Sequence, residues 1–409
     1  MKRTKNVGRA VAAAVLLPCL WTSGRGEMPL EALRAGAERS FSAAGSGIPR
    51  SAAVESLKQR LRAGPAALGP QTRPRAADPY NALIWDRRSR RDWYEWWYYK
   101  VVLPGTPEAF YFCYGVVNPW DVGQTRGASR AYIDMGSFAA GETFERTFPV
   151  GEFAAASDRT FVQVGENTAT DRGLKGRFLT PDGEEISWDL SLEKDWGVNV
   201  LGWAMSRGWA SNIFWYPAQA GASMSGRITY RGKTFTLARA PAYQDRNWGT
   251  SFPKWWTWLV SNHFKGAPGT ILAAGGGQPR IFPGTDRFQG VAIGLRHEGR
   301  EYLFRPTEGD LVKMDVRFGR WEVSARNRRN ERIEVSAYAP PEKFLLLKFM
   351  TPQGAVFHDY EALLGRIRVK LYKGASLVAD LETDAGGIEF GAPAPADFKA
   401  LFSHETSLQ

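Results

Sequence analysis

Cysteine is almost missing from this chain, with two residues in 409. Cys19 falls in a basic leader, which leaves Cys113 alone, so neither a disulfide framework nor a cysteine-ligated metal can be built. In the aromatic run FYFCYG a lone thiol reads as a small core residue. Histidine is also scarce. His263, His297, His358 and His404 lack ligand spacing, which argues against a histidine-based metal site. There is no G-x-S-x-G, no phosphate-cradling glycine loop and no H-E-x-x-H, and Gly275-Gly-Gly277 reads as a loop. The apolar run from Ala10 to Trp21 spans 12 residues, short of the about 20 that a membrane helix needs. A mean hydropathy of −0.34 argues against a polytopic membrane protein.

An excess of charge is missing from the body of the chain as well. The net charge is +11, but residues 1–91 hold 17 Lys and Arg against 6 Asp and Glu, which leaves 53 − 17 = 36 basic and 42 − 6 = 36 acidic residues beyond them. A neutral body speaks against nucleic acid as a partner.

What is present is leader, strands and tryptophan. Residues 1–26 read as a targeting segment: Lys2, Arg3, Lys5 and Arg9 precede the apolar run, and Thr22-Ser-Gly24 offers a cleavage site. Export to the periplasm or a membrane is the expectation, with a plastid address as the alternative. Residues 27–80 read as a partly helical linker, solvated or in weak contact with a membrane surface. From Asp92 onward the pattern has period 2, as in Trp188, Leu190 and Leu192 and again in Ile367, Val369 and Leu371. FYFCYGVV (110–117) is a buried run, and similar pieces recur at 226–239, 288–297, 301–305, 314–325, 332–339 and 344–350. Turn signals such as Arg231-Gly232 and Pro352-Gln-Gly354 separate them. Such spacing predicts an all-β chain of two antiparallel barrel or sandwich units, over 81–215 and 216–395, with a tail at 396–409. Lys194-Asp-Trp-Gly197 and Arg246-Asn-Trp-Gly249 hint at an internal duplication.

Nine of the 16 tryptophans lie between Trp188 and Trp258, and five Trp and Phe positions between Trp248 and Trp258 sit beside Asp245 and His263. A carboxyl among indoles is desolvated when ionised, which raises its pKa and keeps a proton available near neutral pH. Asp245 can instead cap the Asn247-Trp-Gly249 turn. Period 2 puts Trp93, Glu95, Trp97 and Tyr99 on one strand face, where Glu95 enters a pocket or pairs with an arginine at its rim. Asn118 and Asp121 read as turn residues around Pro119. His263 is a candidate through its closeness in sequence to Asp245, against a satisfied core histidine. A carboxylic acid, several tryptophans and no cofactor motif suit proton-initiated carbocation chemistry on an apolar molecule.

At these residues the sequence resembles the tocopherol cyclase family. Glu95-Trp-Trp-Tyr-Tyr-Lys100, Phe110-Tyr-Phe-Cys-Tyr-Gly-Val-Val-Asn-Pro119 and Tyr243 to Asn262 match the family's three motifs, within a resemblance spanning roughly 92–391. Trp96 stands where a glycine is usual. Such proteins are similar to carotenoid hydratases, and the resemblance implies two lipocalin-like β units. It implies closure of a prenylated benzoquinol to a chromanol, redox-neutral and without metal, nucleotide or other cofactor. Asp245 is then the expected proton donor, with Glu95 and His263 as second candidates. Trp97, Tyr99, Trp248, Trp255, Trp256, Trp258 and Asn262 are the expected substrate contacts. The other readings are a hydratase, in which water captures the cation, and a non-catalytic carrier of an apolar ligand.

Overall fold

The computed structural model describes residues 78–281 and 287–395. The leader at 1–26, nearly all of the linker and the tail lie outside the described residues. The described residues fall within one compact unit. Strand is nearly the only regular structure among the described residues, with four short 3-10 turns and no helix long and apolar enough to cross a membrane.

Eleven strands form the first sheet. They are β1 (Tyr94–Val102), β2 (Ala109–Val117), β3 (Arg130–Ser137), β4 (Glu142–Phe148), β5 (Phe153–Ala155), β6 (Phe161–Val164), β7 (Asn167–Thr170), β8 (Gly173–Leu179), β9 (Glu185–Trp196), β10 (Ile213–Tyr230) and β11 (Lys233–Gly249). Ten form the second: β12 (Trp256–Ser261), β13 (Ile271–Gly277), β14 (Gly290–His297), β15 (Arg300–Phe304), β16 (Leu311–Arg317), β17 (Arg320–Arg326), β18 (Glu331–Tyr338), β19 (Leu345–Met350), β20 (Val356–Lys373) and β21 (Ser376–Ala392). Both sheets are antiparallel and curl into nearly closed barrels.

The two sheets share one plan. A first strand opens a four-strand arm, β1 to β4 or β12 to β15, and the chain then steps back from the far edge until its last strand pairs with the first. β11 thus lies against β1, and β21 against β12. β19 stands off this path, paired with β20.

Strand alternation sends side chains into three large cores, beside a small fourth cluster around Phe214, Tyr216 and Trp248. Trp97, Tyr99, Phe112 and Trp188 fill the first barrel, and Leu259, Trp321, Val369 and Ile388 fill the second. The third core draws on both sheets: Tyr94, Trp96, Tyr98 and Tyr111 from the first meet Trp256, Trp258, Phe349 and Phe357 from the second. We call this third core the seam. β1 is buried on both faces, which explains its nearly unbroken aromatic sequence.

Four expectations are corrected. The change of sheet falls between Gly249 and Trp256, not at 215/216, because the ladder of β11 to β1 holds residues up to 249 in the first sheet. That pairing joins residues about 150 positions apart, and local composition carries no sign of it. The two charged-polar-Trp-Gly segments end β9 and β11 of the same sheet, so they do not mark the duplication that the topology shows. The piece at 314–325 is a hairpin of β16 and β17 rather than one strand. Gly275-Gly-Gly277 is no loop but the end of β13: a Cβ on Gly275 would lie 2.8 Å from the Trp215 ring, and one on Gly276 would lie 2.0 Å from the carbonyl oxygen of Gly290.

The same logic fixes β21. Gly387 and Gly391 face the seam, where a Cβ would lie 2.3 Å from Trp258 Cζ3 and 2.3 Å from Trp256 Nε1. These glycines are the floor on which the two indoles rest. Gly387→Ala should therefore cost about 1–3 kcal/mol by overpacking, read as a lower urea midpoint with an unchanged slope. A neutral substitution would mean that Trp258 does not lie on β21.

Candidate active site at the seam between the two sheets

β11 reads Tyr243-Gln-Asp-Arg-Asn-Trp-Gly249, and its alternation separates neighbours in sequence. Tyr243, Asp245 and Asn247 face the seam, whereas Gln244, Arg246 and Trp248 face the other side. Asp245 is 5% exposed. Its Oδ2 accepts from Trp215 Nε1 at 2.7 Å and from Tyr243 Oη at 2.9 Å. Trp258 Nε1 in turn donates to Tyr243 Oη at 3.1 Å, so a strand of the second sheet supports the carboxyl through a phenol of the first. Both donors to the carboxyl converge on Oδ2, so a proton on this group sits on Oδ1. Burial among aromatic rings pushes Asp245 up to about 7, against the opposing pull of Trp215, Tyr243, Arg246 and Trp258.

Asp245 lies directly across the ladder from Tyr98 of β1. The Tyr98 hydroxyl donates to Glu361 Oε1 in β20, crossing from one sheet to the other. Glu361 belongs to a second acidic pole with Asp359 and Glu389, whose carboxylate oxygens approach within 4.8 Å of one another. Asp359 Oδ1 accepts from Trp256 Nε1 at 2.8 Å. Burial raises Asp359 to about 6 and lifts Glu361 and Glu389 well above the usual carboxylate range, with mutual repulsion adding to the latter two. Lys100, also buried, stands over the Trp258 ring at 5.8 Å, and burial lowers it to about 8 against the attraction of Glu361. The seam thus carries two acidic poles, bridged by Tyr98 and by the indoles of β12.

Among the residues expected from sequence, Asp245, Trp256 and Trp258 come together at the seam. Glu95, Trp97 and Tyr99 share one face of β1, as period 2 required, but that face lines the first barrel and not the seam. Glu95 is fully buried rather than at a rim: it accepts from Arg246, from the backbone N–H groups of Ile84 and Trp85 and from Trp93 Nε1. Arg246 also lies 3.7 Å from the Trp97 ring centroid, so it turns away from Asp245 and stacks inside the barrel. Trp248 stacks on Phe214 and Tyr80 on the face away from Asp245. Trp255 is half-buried against Phe390. Asn262 donates to the carbonyls of Ala222 and Ala242, tying the sheets together. His263 is exposed at the surface. Cys113 is a fully buried seam residue, and Asp121 organises its turn by accepting from Thr125, Arg126 and Ser129, as expected.

The sequence reading missed Tyr98, Trp215, Tyr243 and the Asp359–Glu361–Glu389 pole. A signal existed in FHDYEALLG: Phe357, Asp359, Glu361 and Leu363 share one strand face, so two carboxylates two residues apart are directed into an apolar layer. An open groove on the second barrel, lined by Lys313, Asp315, Glu322, Glu334, Arg368 and Lys370, is charged and offers an apolar molecule nothing comparable.

Fold and site together define a double-barrel protein that keeps a carboxyl dry among indoles at the joint of its sheets. The chain belongs to the tocopherol cyclase-like family, whose sequence model matches residues 159–392, more than half of its length. It is 25% identical to a probable chloroplastic tocopherol cyclase of Oryza sativa subsp. japonica, over 79% of this chain and 80% of that protein. It is 26% identical to a chloroplastic tocopherol cyclase of Zea mays, over 76% and 77%. The chloroplast location of both fits the plastid alternative for the leader. Among solved structures it is similar to kievitone hydratase of Nectria haematococca, at 12% identity and a TM-score of 0.44, over 73% of this chain and 88% of that one. A putative AttH of Nitrosomonas europaea is 15% identical with a TM-score of 0.47, over 80% and 99%.

Two of the buried acids, Asp245 and Glu95, should respond oppositely to amidation. A folded pKa raised from 3.8 to about 7 costs nothing where both states are protonated, near pH 3, and the cost grows as pH climbs toward 7. Asp245→Asn should therefore melt with the parent at low pH and above it at pH 7 and beyond, by up to about 4 kcal/mol before relaxation and water entry reduce the gain. Glu95→Gln leaves Arg246 buried without a counter-ion and should lose about 3–5 kcal/mol at neutral pH. Melting curves across pH check both, and a destabilised Asp245→Asn at pH 8 would contradict the assignment.

Proposed function

We propose that this chain is a cyclase that closes a prenylated benzoquinol to a chromanol, with Asp245 as the acid. The observation that carries the reading is a carboxyl that burial lifts to about 7 against the pull of its indole and phenol donors, in a chain of this family. Asp245 gives its proton to the less substituted carbon of the prenyl double bond. A C–H bond forms, the carboxyl becomes carboxylate, and the neighbouring carbon becomes a tertiary cation. The ring hydroxyl oxygen adds to that cation and loses its own proton. Nothing is oxidised or reduced, so the step draws on no redox partner.

Trp215 and Trp258 flank the acid, and the electron-rich faces of such rings stabilise a nearby cation by roughly 0.5–2 kcal/mol each. An apolar surrounding also keeps water from capturing the cation before the hydroxyl does. The partner is a hydrophobic small molecule, drawn from a membrane surface to which the leader brings the protein.

Purified protein incubated with 2,3-dimethyl-6-phytyl-1,4-benzoquinol under reducing conditions should yield a chromanol of unchanged mass. A product heavier by one water would make it a hydratase, and bound but unaltered quinol a carrier. Asp245→Asn should lower turnover at least about a hundredfold while binding is retained. The acid works only when protonated, so the parent rate should fall as pH rises through about 7. A rate indifferent to either change would remove Asp245 from the role.

A further inference from the structure

Ring closure puts one proton on carbon and releases another from oxygen, so the site needs an acceptor as well as a donor. Asp359 Oδ2 and Glu361 Oε2, in residues 0% and 1% exposed, meet no N–H or hydroxyl donor, and the one further partner of this pair is the Glu389 carboxyl, which bonds Asp359. A buried carboxyl oxygen left without an outside hydrogen-bond partner costs about 1–3 kcal/mol, so these two within one cluster point to a missing ligand with O–H groups, which can donate or accept. Their sister oxygens are held in place by Trp256 Nε1 and by the Tyr98 hydroxyl, which fixes the direction of the free ones. Glu389, half-buried in β21, completes the cluster and lies directly across the β12–β21 ladder from Trp258, the indole that supports Asp245.

Building on the cyclisation reading, we propose that Asp359 and Glu361 form the subsite for the hydroxyl end of the substrate, with Asp359 Oδ2 accepting the proton that the ring oxygen releases. The balance is then complete. Asp245 loses a proton to carbon, the C–O bond forms as the O–H bond breaks, and Asp359 gains the proton. The protein ends one proton short at one pole and one proton richer at the other, with Tyr98 and Glu361 lying between them. The pole requires a free hydroxyl and does not recognise the tail. The substrate class is thus a phenol or hydroquinol with its ring oxygens unblocked, and its alkyl ethers are excluded.

The test compares binding of 2,3-dimethyl-6-phytyl-1,4-benzoquinol with that of its di-O-methyl ether, by quenching of tryptophan fluorescence in anaerobic detergent micelles. The full-length protein should bind the quinol at least about tenfold tighter, because the ether cannot donate to either free oxygen. Asp359→Asn and Glu361→Gln, each checked by its melting curve, should shrink that ratio toward one, whereas Asp245→Asn should keep the ratio and lose turnover. Equal affinity of the parent for both ligands overturns the subsite without any variant, even if chromanol still forms. A ratio that survives in both folded variants overturns it too. A stoichiometric divalent cation, retained on purification and lost in Asp359→Asn, would assign the free oxygens to metal and also end the proposal. The cyclase reading fails separately, if the quinol binds with this preference but no chromanol appears. No binding of either ligand ends both.

Discussion

The pairing of β1 with β11 is the constraint on which the rest of the structure depends. Each strand alternates between two dry compartments, so the charged side chains in the ladder must find partners inside one of them. Neighbours in sequence are thereby sent to opposite fates. Arg246 and Glu95 enter the first barrel and neutralise each other, whereas Asp245 and Tyr98 enter the seam. Had one residue been inserted in β11, the guanidinium would face the seam and hold Asp245 ionised. The availability of the proton is therefore a consequence of strand register.

The buried ion pair and the buried acid serve different ends. Glu95 and Arg246 exchange charge and also meet backbone groups around 80–85, so they fasten the segment that precedes β1 onto the barrel. Asp245 has only neutral donors, an indole and a phenol, which soften its desolvation without cancelling it. A site that stabilised its acid more fully would hold it as carboxylate at neutral pH and would have no proton to give. In the proposed reaction the seam would keep stability and acidity in tension.

How much of this was legible in the sequence follows from how local each feature is. Period 2 sorted Glu95, Trp97 and Tyr99 from Tyr94, Trp96 and Tyr98 correctly, because alternation is a property of one strand. It could not say which face meets a second sheet, and the aromatic content of both faces hid the difference. The burial of Asp245 among indoles was legible because its motif is contiguous. The pole of Asp359, Glu361 and Glu389 was not, since β20 and β21 meet Tyr98 only through the packing of one barrel on the other. Sequence closeness misled for His263: β12 ends at Ser261, and two residues later the chain is at the surface.

The central claim is that Asp245 carries a proton at neutral pH. Infrared difference spectroscopy of the parent against Asp245→Asn tests it most directly, since the carbonyl stretch of a protonated carboxyl is resolved from that of a carboxylate. The account predicts a protonated-carboxyl band at pH 6 that is absent from the variant and fades as pH passes about 7. A carboxylate band alone at pH 6, unchanged down to the ordinary range of aspartate, would contradict it.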